Sequence, residues 1–232
     1  MPNLSDTPQV LRGYQDDSKR VFFSDIQIAL TREVFIVGGY GVLKPGTVLA
    51  EISSESSSRA GQYVPYSFED PSSDIDNFHG AYLLADGADS TSVYVTQDDS
   101  YKFAVGDHLA VADGTYYGDS NSDDLGAITA IDRTTYTQMA VITVTNNLVS
   151  DFTIAKNAAV YIQTTTSGPY TLAKGFLFGG VDTGTGENYA QGAQSVIVLS
   201  NAMLYNGLVF NYDSEAQTDL GSSTSGQFII LK

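Results

Sequence analysis

From residue 21 onward, apolar residues recur at alternate positions in short runs broken by Gly, Pro, Asp and Asn, which is the period of a half-buried strand. Residues 21–30 alternate after an aromatic start, and residues 33–37 form a β-branched run that stops at Gly38 and Gly39. Both stretches predict strands. In residues 41–52, Pro45 and Gly46 make a turn from which Thr47, Val48, Leu49 and Ile52 leave as a strand. Residues 53–59 read as a serine-rich loop, and residues 61–66 as a short strand. Pro65 cannot donate to a ladder, so it is expected at an edge or a strand end.

Residues 80–163 have a different texture: short strands are predicted at 92–96, 109–111, 125–131, 140–145 and 159–162, separated by turns such as Gly106-Asp107 and Asp113-Gly114. This spacing predicts a small barrel or sandwich, and residues 164–169 read as a linker out of it. Further strands are predicted at 174–180, 195–199, 208–210 and 227–231. A loose apolar run at 227–231 would be a sticky edge, so a pairing partner is expected for it. Residues 201–206 and 213–220 are each expected to form a short helical turn. Residues 1–20 hold Pro2, Pro8, Gly13 and a polar cluster at 15–18, with too little periodicity for an element of their own, and read as an extended arm.

Composition agrees with an all-β chain. Only 16% of the 232 residues are charged, against 22 Gly and 15 Tyr. The length suffices for one large β fold or two modest domains. With no cysteine there is neither a disulfide framework nor a thiolate site. No apolar run reaches the length of a membrane helix and no secretory pattern opens the chain, so a soluble product without an export signal is expected. The net charge is −16, yet five of the 11 basic and five of the 27 acidic residues lie in residues 1–45, so the remainder carries the whole imbalance. A body that acidic repels phosphate backbones, and no nucleic-acid partner is expected.

Catalytic and metal-binding patterns are weak. His79 and His108 are 29 positions apart without a helical i, i+4 partner, and read as ordinary histidines. The Asp-rich stretches 70–77 and 119–124 are oxygen-rich but lack the Gly and Glu of a helical calcium loop, so they read as solvated turns and no metal or other cofactor is expected. Asp182-Thr183-Gly184 spells an aspartic-protease tripeptide, but no second copy exists to supply the partner carboxylate. Ser195 lacks the glycines of a nucleophile elbow, and the glycines at 179–186 are followed by neither Lys nor a helical pattern. The tyrosines, among them Tyr116, Tyr117, Tyr161, Tyr189, Tyr205 and Tyr212, read as strand packing. The expectation is a protein that is not an enzyme.

Leu43, Lys44, Pro45, Gly46, Thr47, Val48 and Leu49, with the run Gly61-Gln62-Tyr63-Val64-Pro65-Tyr66, resemble the paired strands of the head decoration proteins of lambda-like tailed phages. Gly175-Phe176-Leu177-Phe178 and Val196-Ile197-Val198-Leu199 look like that family's last two strands, so about a third of the chain is covered. The departure is residues 80–167, which fall where the family runs on directly. The resemblance implies a β-tulip-like decoration domain (residues 21–79 and 168–232), split by an inserted small β-barrel or sandwich domain (80–167) and preceded by the arm (1–20). It also implies a homotrimeric cement protein at threefold and quasi-threefold sites on the outer surface of a virion capsid, made in the host cytoplasm, with the major capsid protein as partner and no membrane contact. The arm residues expected to order on the capsid are Leu4, Val10, Leu11, Tyr14, Val21, Phe22 and Phe23, since an extended segment can add a strand to an open sheet edge. The alternative from another class is a receptor- or glycan-binding β module of a tail fibre or adhesin.

Overall fold

The computed structural model describes residues 21–22, 29–53, 57, 59–67, 79–113, 122–165, 171–188, 193–222 and 228–231. The protein is all-β. The first strands are β1 (Leu30–Ile36), β2 (Val42–Leu43), β3 (Val48–Glu51) and β4 (Tyr63–Pro65). Next come β5 (Ala81–Tyr82), β6 (Ser90–Thr96), the one-turn helix α1 (Gln97–Ser100), β7 (His108–Ala112), β8 (Ser122–Asp132), β9 (Met139–Leu148) and β10 (Ala159–Ile162). The chain continues through β11 (Ala173–Leu177), β12 (Val181–Asp182), β13 (Ala193–Ser200), β14 (Ala202–Tyr205), helix α2 (Ser214–Ser222) and β15 (Phe228–Leu231). No helix among the described residues is long and apolar enough to cross a membrane.

Two β units account for most strands. A closed barrel has the order β1-β13-β11-β3-β4, and a single parallel pair, Ile36 with Tyr63, closes it. A six-stranded sheet has the order β5-β10-β7-β8-β9-β6, every strand of it lying between residues 81 and 162. Its two edges come together where the Leu84 amide donates to the Tyr94 carbonyl at 2.8 Å, so the sheet curls almost shut. Short pairs complete the fold, β2 with β12 and β14 with β15.

Strand alternation explains how one barrel serves two cores. Val34, Ile36, Leu43, Leu49, Tyr63, Leu177 and Ile197 form one buried cluster. Their sequence neighbours on the opposite strand faces, Val48, Ala50, Val64, Phe176 and Val198, join a much larger one. That larger cluster runs without a break into the six-stranded sheet through Val93, Val95, Leu109, Val111, Ile128 and Ile142. On β9 the buried positions Ala140, Ile142 and Val144 alternate with half-exposed ones, as the sequence pattern requires. The far wall of the barrel is covered by the C-terminal segments, where Phe176 meets the Phe228 ring edge-on at 4.9 Å and Tyr212 at 5.6 Å.

Two local expectations need correction. Residues 201–206 are not a helical turn: Asn201 at φ 59° reverses the chain, and Ala202–Tyr205 then forms β14 with its alternate residues buried. Its parallel partner β15 lies in the sequence 26 positions further on, Ala202 pairing with Phe228, which gives the terminal apolar run its expected partner. Residues 208–210 are not a strand; a single 3-10 turn at Asn206–Leu208 is followed by an isolated parallel bridge from Phe210 to Thr47. The helical turn expected at 213–220 is α2.

Candidate functional site

The strands singled out by sequence are packing elements. Leu49 pairs with Pro65, Ala50 with Val64 and Glu51 with Tyr63, so the two runs form an antiparallel hairpin in the barrel wall. Pro65 is the last residue of β4, where a missing donor is harmless. Leu43, Leu49 and Tyr63 fill the smaller cluster, while Val48, Val64 and Tyr66 face the larger one. The Pro45-Gly46 turn is gripped from both sides: Gly46 donates to the Leu177 carbonyl at 2.8 Å and accepts from the Phe210 amide at 3.1 Å. A side chain at Gly46 would stand 2.4 Å from the Leu208 carbonyl, and its φ of 86° suits glycine. Thr47 closes the turn by donating its hydroxyl to the Lys44 carbonyl at 2.8 Å.

Of the proposed arm residues, Leu4, Val10, Leu11, Tyr14 and Phe23 lie outside the described residues. Val21 and Phe22 are placed differently from the expectation. They are 5% and 6% exposed, Phe22 bridges to Leu204 and meets the Phe178 ring at 5.3 Å in a tilted contact, and Val21 lies over Gly46. Both are anchors in the body, because their apolar side chains find a ready core in the Phe178 and Leu204 region. They leave no surface for a partner.

Tyr63 and Glu51 close one end of the smaller cluster. Burial and the neighbouring Glu51 carboxylate, which accepts a hydrogen bond from the phenol, push the Tyr63 pKa up to about 12. Arg32 approaches Glu51 from the far side at 3.9 Å. A phenol whose pKa is raised by folding contributes stability that is intact below its unfolded value of about 10 and is lost as pH rises toward 12. Ultraviolet titration should therefore show tyrosines that ionise late, and urea midpoints should fall between pH 10 and 12; Tyr63→Phe should flatten that fall.

A cleft of about 470 Å³ lies beside this end, lined among others by Glu51, Ile52, Gly61, Thr164, Leu172 and Lys174. The remaining candidate chemistry resolves into local scaffolding. Thr183 accepts from the Tyr40 amide and donates to the Gly41 carbonyl, both at 2.9 Å, so Asp182-Thr183-Gly184 is a loop clamp. Ser195 lies within β13, its hydroxyl 3.4 Å from the Gly179 carbonyl. His79 meets Tyr40 edge-on at 6.2 Å, and His108 opens β7. Stretch 70–77 and the tyrosines at 116, 117 and 189 lie outside the described residues. Of the stretch 119–124, expected as a solvated turn, residues 122–124 instead belong to β8, Asp124 pairing with Ala110 and Asp123 with Val111; Asp124 accepts from the Gly126 amide at 2.7 Å where that ladder shifts register.

Compared with known proteins, the chain matches no family model, no curated protein and no solved structure. Its functional reading rests on its own residues.

One group that the sequence does not single out is the junction between barrel and sheet. Asp107, which the sequence presents only as a turn residue, is completely buried. Its carboxylate receives the Ala104 amide at 2.8 Å, Arg59 Nε at 3.1 Å, Arg59 Nη2 and the Ser57 hydroxyl. Ser57 and Arg59 belong to the loop joining β3 to β4. The three cations in residues 80–167 each meet a local partner: Lys102 meets Asp99 at 2.6 Å, Arg133 meets Ser100 Oγ at 2.8 Å, and the half-exposed Lys156 meets Asp113 at 3.5 Å.

Proposed function

We propose that the protein is a structural component of a tailed-phage particle, binding the outside of the capsid as a homotrimer at threefold and quasi-threefold positions and stabilising the shell. The observation that supports this reading is the convergence of the four segments resembling the decoration family. Residues 43–49, 61–66, 175–178 and 196–199 are scattered over 157 positions, yet their strands stand side by side in the barrel as β13, β11, β3 and β4. Sharing one sheet is what the resemblance requires of these four segments.

In this reading the protein acts by binding alone. The residues ahead of Val21 serve as the arm in this reading, and Val21 and Phe22, buried in the body, are its root. Ordering such a segment along an open sheet edge of a shell subunit gains main-chain hydrogen bonds, and three arms per trimer multiply a weak contact. A ligand that binds only the assembled shell stabilises it by mass action.

The test uses shells lacking the protein. The full chain should cosediment with them and raise their disruption temperature. A chain starting at residue 21 should keep its circular dichroism spectrum and lose most of the binding. Indifference of the full chain to shells of its own phage, or a solitary monomer in their presence, would remove this reading.

A further inference from the structure

We infer that the Asp107 cluster is a clasp fixing the six-stranded sheet to the barrel as one rigid body, so that a contact made on the sheet is transmitted into the β3–β4 hairpin. The inference goes beyond the capsid reading and does not depend on it. The chain enters the sheet near residue 80 and leaves it near residue 164, and the apolar cluster that barrel and sheet share holds them together by a force without direction, which leaves their angle to be set by polar contacts.

Asp107 bears on the first requirement of a clasp, which is a full set of partners. A carboxylate offers about four lone-pair positions. Ser57 Oγ, Arg59 Nε, Arg59 Nη2 and the Ala104 amide supply four donors, and Arg59 Nη2 also reaches the Lys102 carbonyl at 3.0 Å. The planar guanidinium fork therefore fixes an angle as well as a distance between the barrel loop and the sheet.

The second requirement is that the surfaces touch closely around the ion pair. Gly39, at φ 96°, brings the barrel backbone so near that an added side chain would stand 3.0 Å from the Lys102 amide nitrogen. Gly186, at φ 52°, does the same against Asp98, at 2.7 Å from Oδ1. Lys102 Nζ donates to the Gly80 carbonyl at 2.7 Å, beside the entry crossing, and stands 5.9 Å over the Tyr40 ring. At the exit crossing the Ser53 amide donates to the Thr164 carbonyl at 3.0 Å.

A buried ion pair contributes little net stability compared with a well-packed apolar pair, because both charges lose their water. What it supplies is orientation. The prediction therefore separates geometry from stability. The chain has no native cysteine, so spin labels can be placed through Gln194→Cys on the barrel and Asn147→Cys on the sheet, both exposed positions. Pulsed dipolar spectroscopy on the full chain, without shells, should give one narrow distance peak. Arg59→Lys keeps the charge but loses the fork, and should lose that single peak while the chain remains folded by circular dichroism. The apolar pair Asp107→Leu with Arg59→Met should recover thermal stability without recovering the narrow peak. A broad distribution in the parent chain, or a narrow peak retained in both variants, would overturn the inference.

Discussion

Excising residues 80–167 and joining the ends with a short linker is expected to yield a chain that does not fold. Although the strands of the sheet are contiguous in sequence, the apolar cluster is not divided at the same places. Val37, Val48, Ala50, Ile52 and Val64 on the barrel side belong to one cluster with Val93, Val95, Leu109, Val111 and Ile128 on the sheet side. Each large aliphatic side chain returned to water costs about 1.5–3 kcal/mol, and a handful of them exhausts a folding free energy of about 5–15 kcal/mol. Arg59 would also lose the Asp107 carboxylate. Size exclusion and one-dimensional proton spectra of the excised chain give the answer. A monodisperse product with dispersed methyl signals would mean that the barrel carries its own core after all.

Phe176→Ala is expected to be the most damaging single truncation in the barrel. Phe176 has no exposed surface, and its ring joins the wall of the barrel to Tyr212 and to Phe228 on the C-terminal strand. Removing a buried phenyl ring typically costs about 3–5 kcal/mol in lost transfer and cavity terms. For a chain of this size that lowers the melting temperature by roughly 6–20 °C. Phe35, on β1, is 52% exposed, and Phe35→Ala should change stability by no more than about 0.5 kcal/mol. Urea titrations of the two variants beside the parent decide the matter; near-equal midpoints would show that the C-terminal cover does not depend on the Phe176 ring.

The strands were legible where burial has a period of two. Residues 140–145 and 92–96 alternate in sequence because Ile142 and Val144, Val93 and Val95 point to one core while their neighbours do not. Residues 201–206 misled because Asn and Gly in and around them signal turns, and the strand exists by virtue of a partner at 228–231 that no local pattern announces. Val21 and Phe22 misled for a related reason: an aromatic start after a polar segment looks the same whether it is offered to a partner or folded onto Phe178. Least legible was Asp107. Its donors Ser57 and Arg59 are 50 and 48 positions earlier, and a carboxylate beside Gly106 looks like a solvated turn until the fold brings a guanidinium to it. The four short apolar segments, by contrast, were grouped as strands of one unit only through the family resemblance, since 176–178 and 196–199 are unbroken apolar runs with no alternation of their own to say which strands they join.

The pairing of Lys102, Arg133 and Lys156 with neighbouring groups has an electrostatic consequence. Residues 80–167 contain eleven aspartates against these three cations, and with Asp86, Asp89, Asp98 and Asp151 exposed the surface of the sheet is predominantly negative. Two such faces repel within a screening distance of about 8 Å at physiological ionic strength. Sheets on adjacent molecules would thus hold one another at arm's length, leaving close association to the less acidic barrel, and crowding should become easier as salt is added.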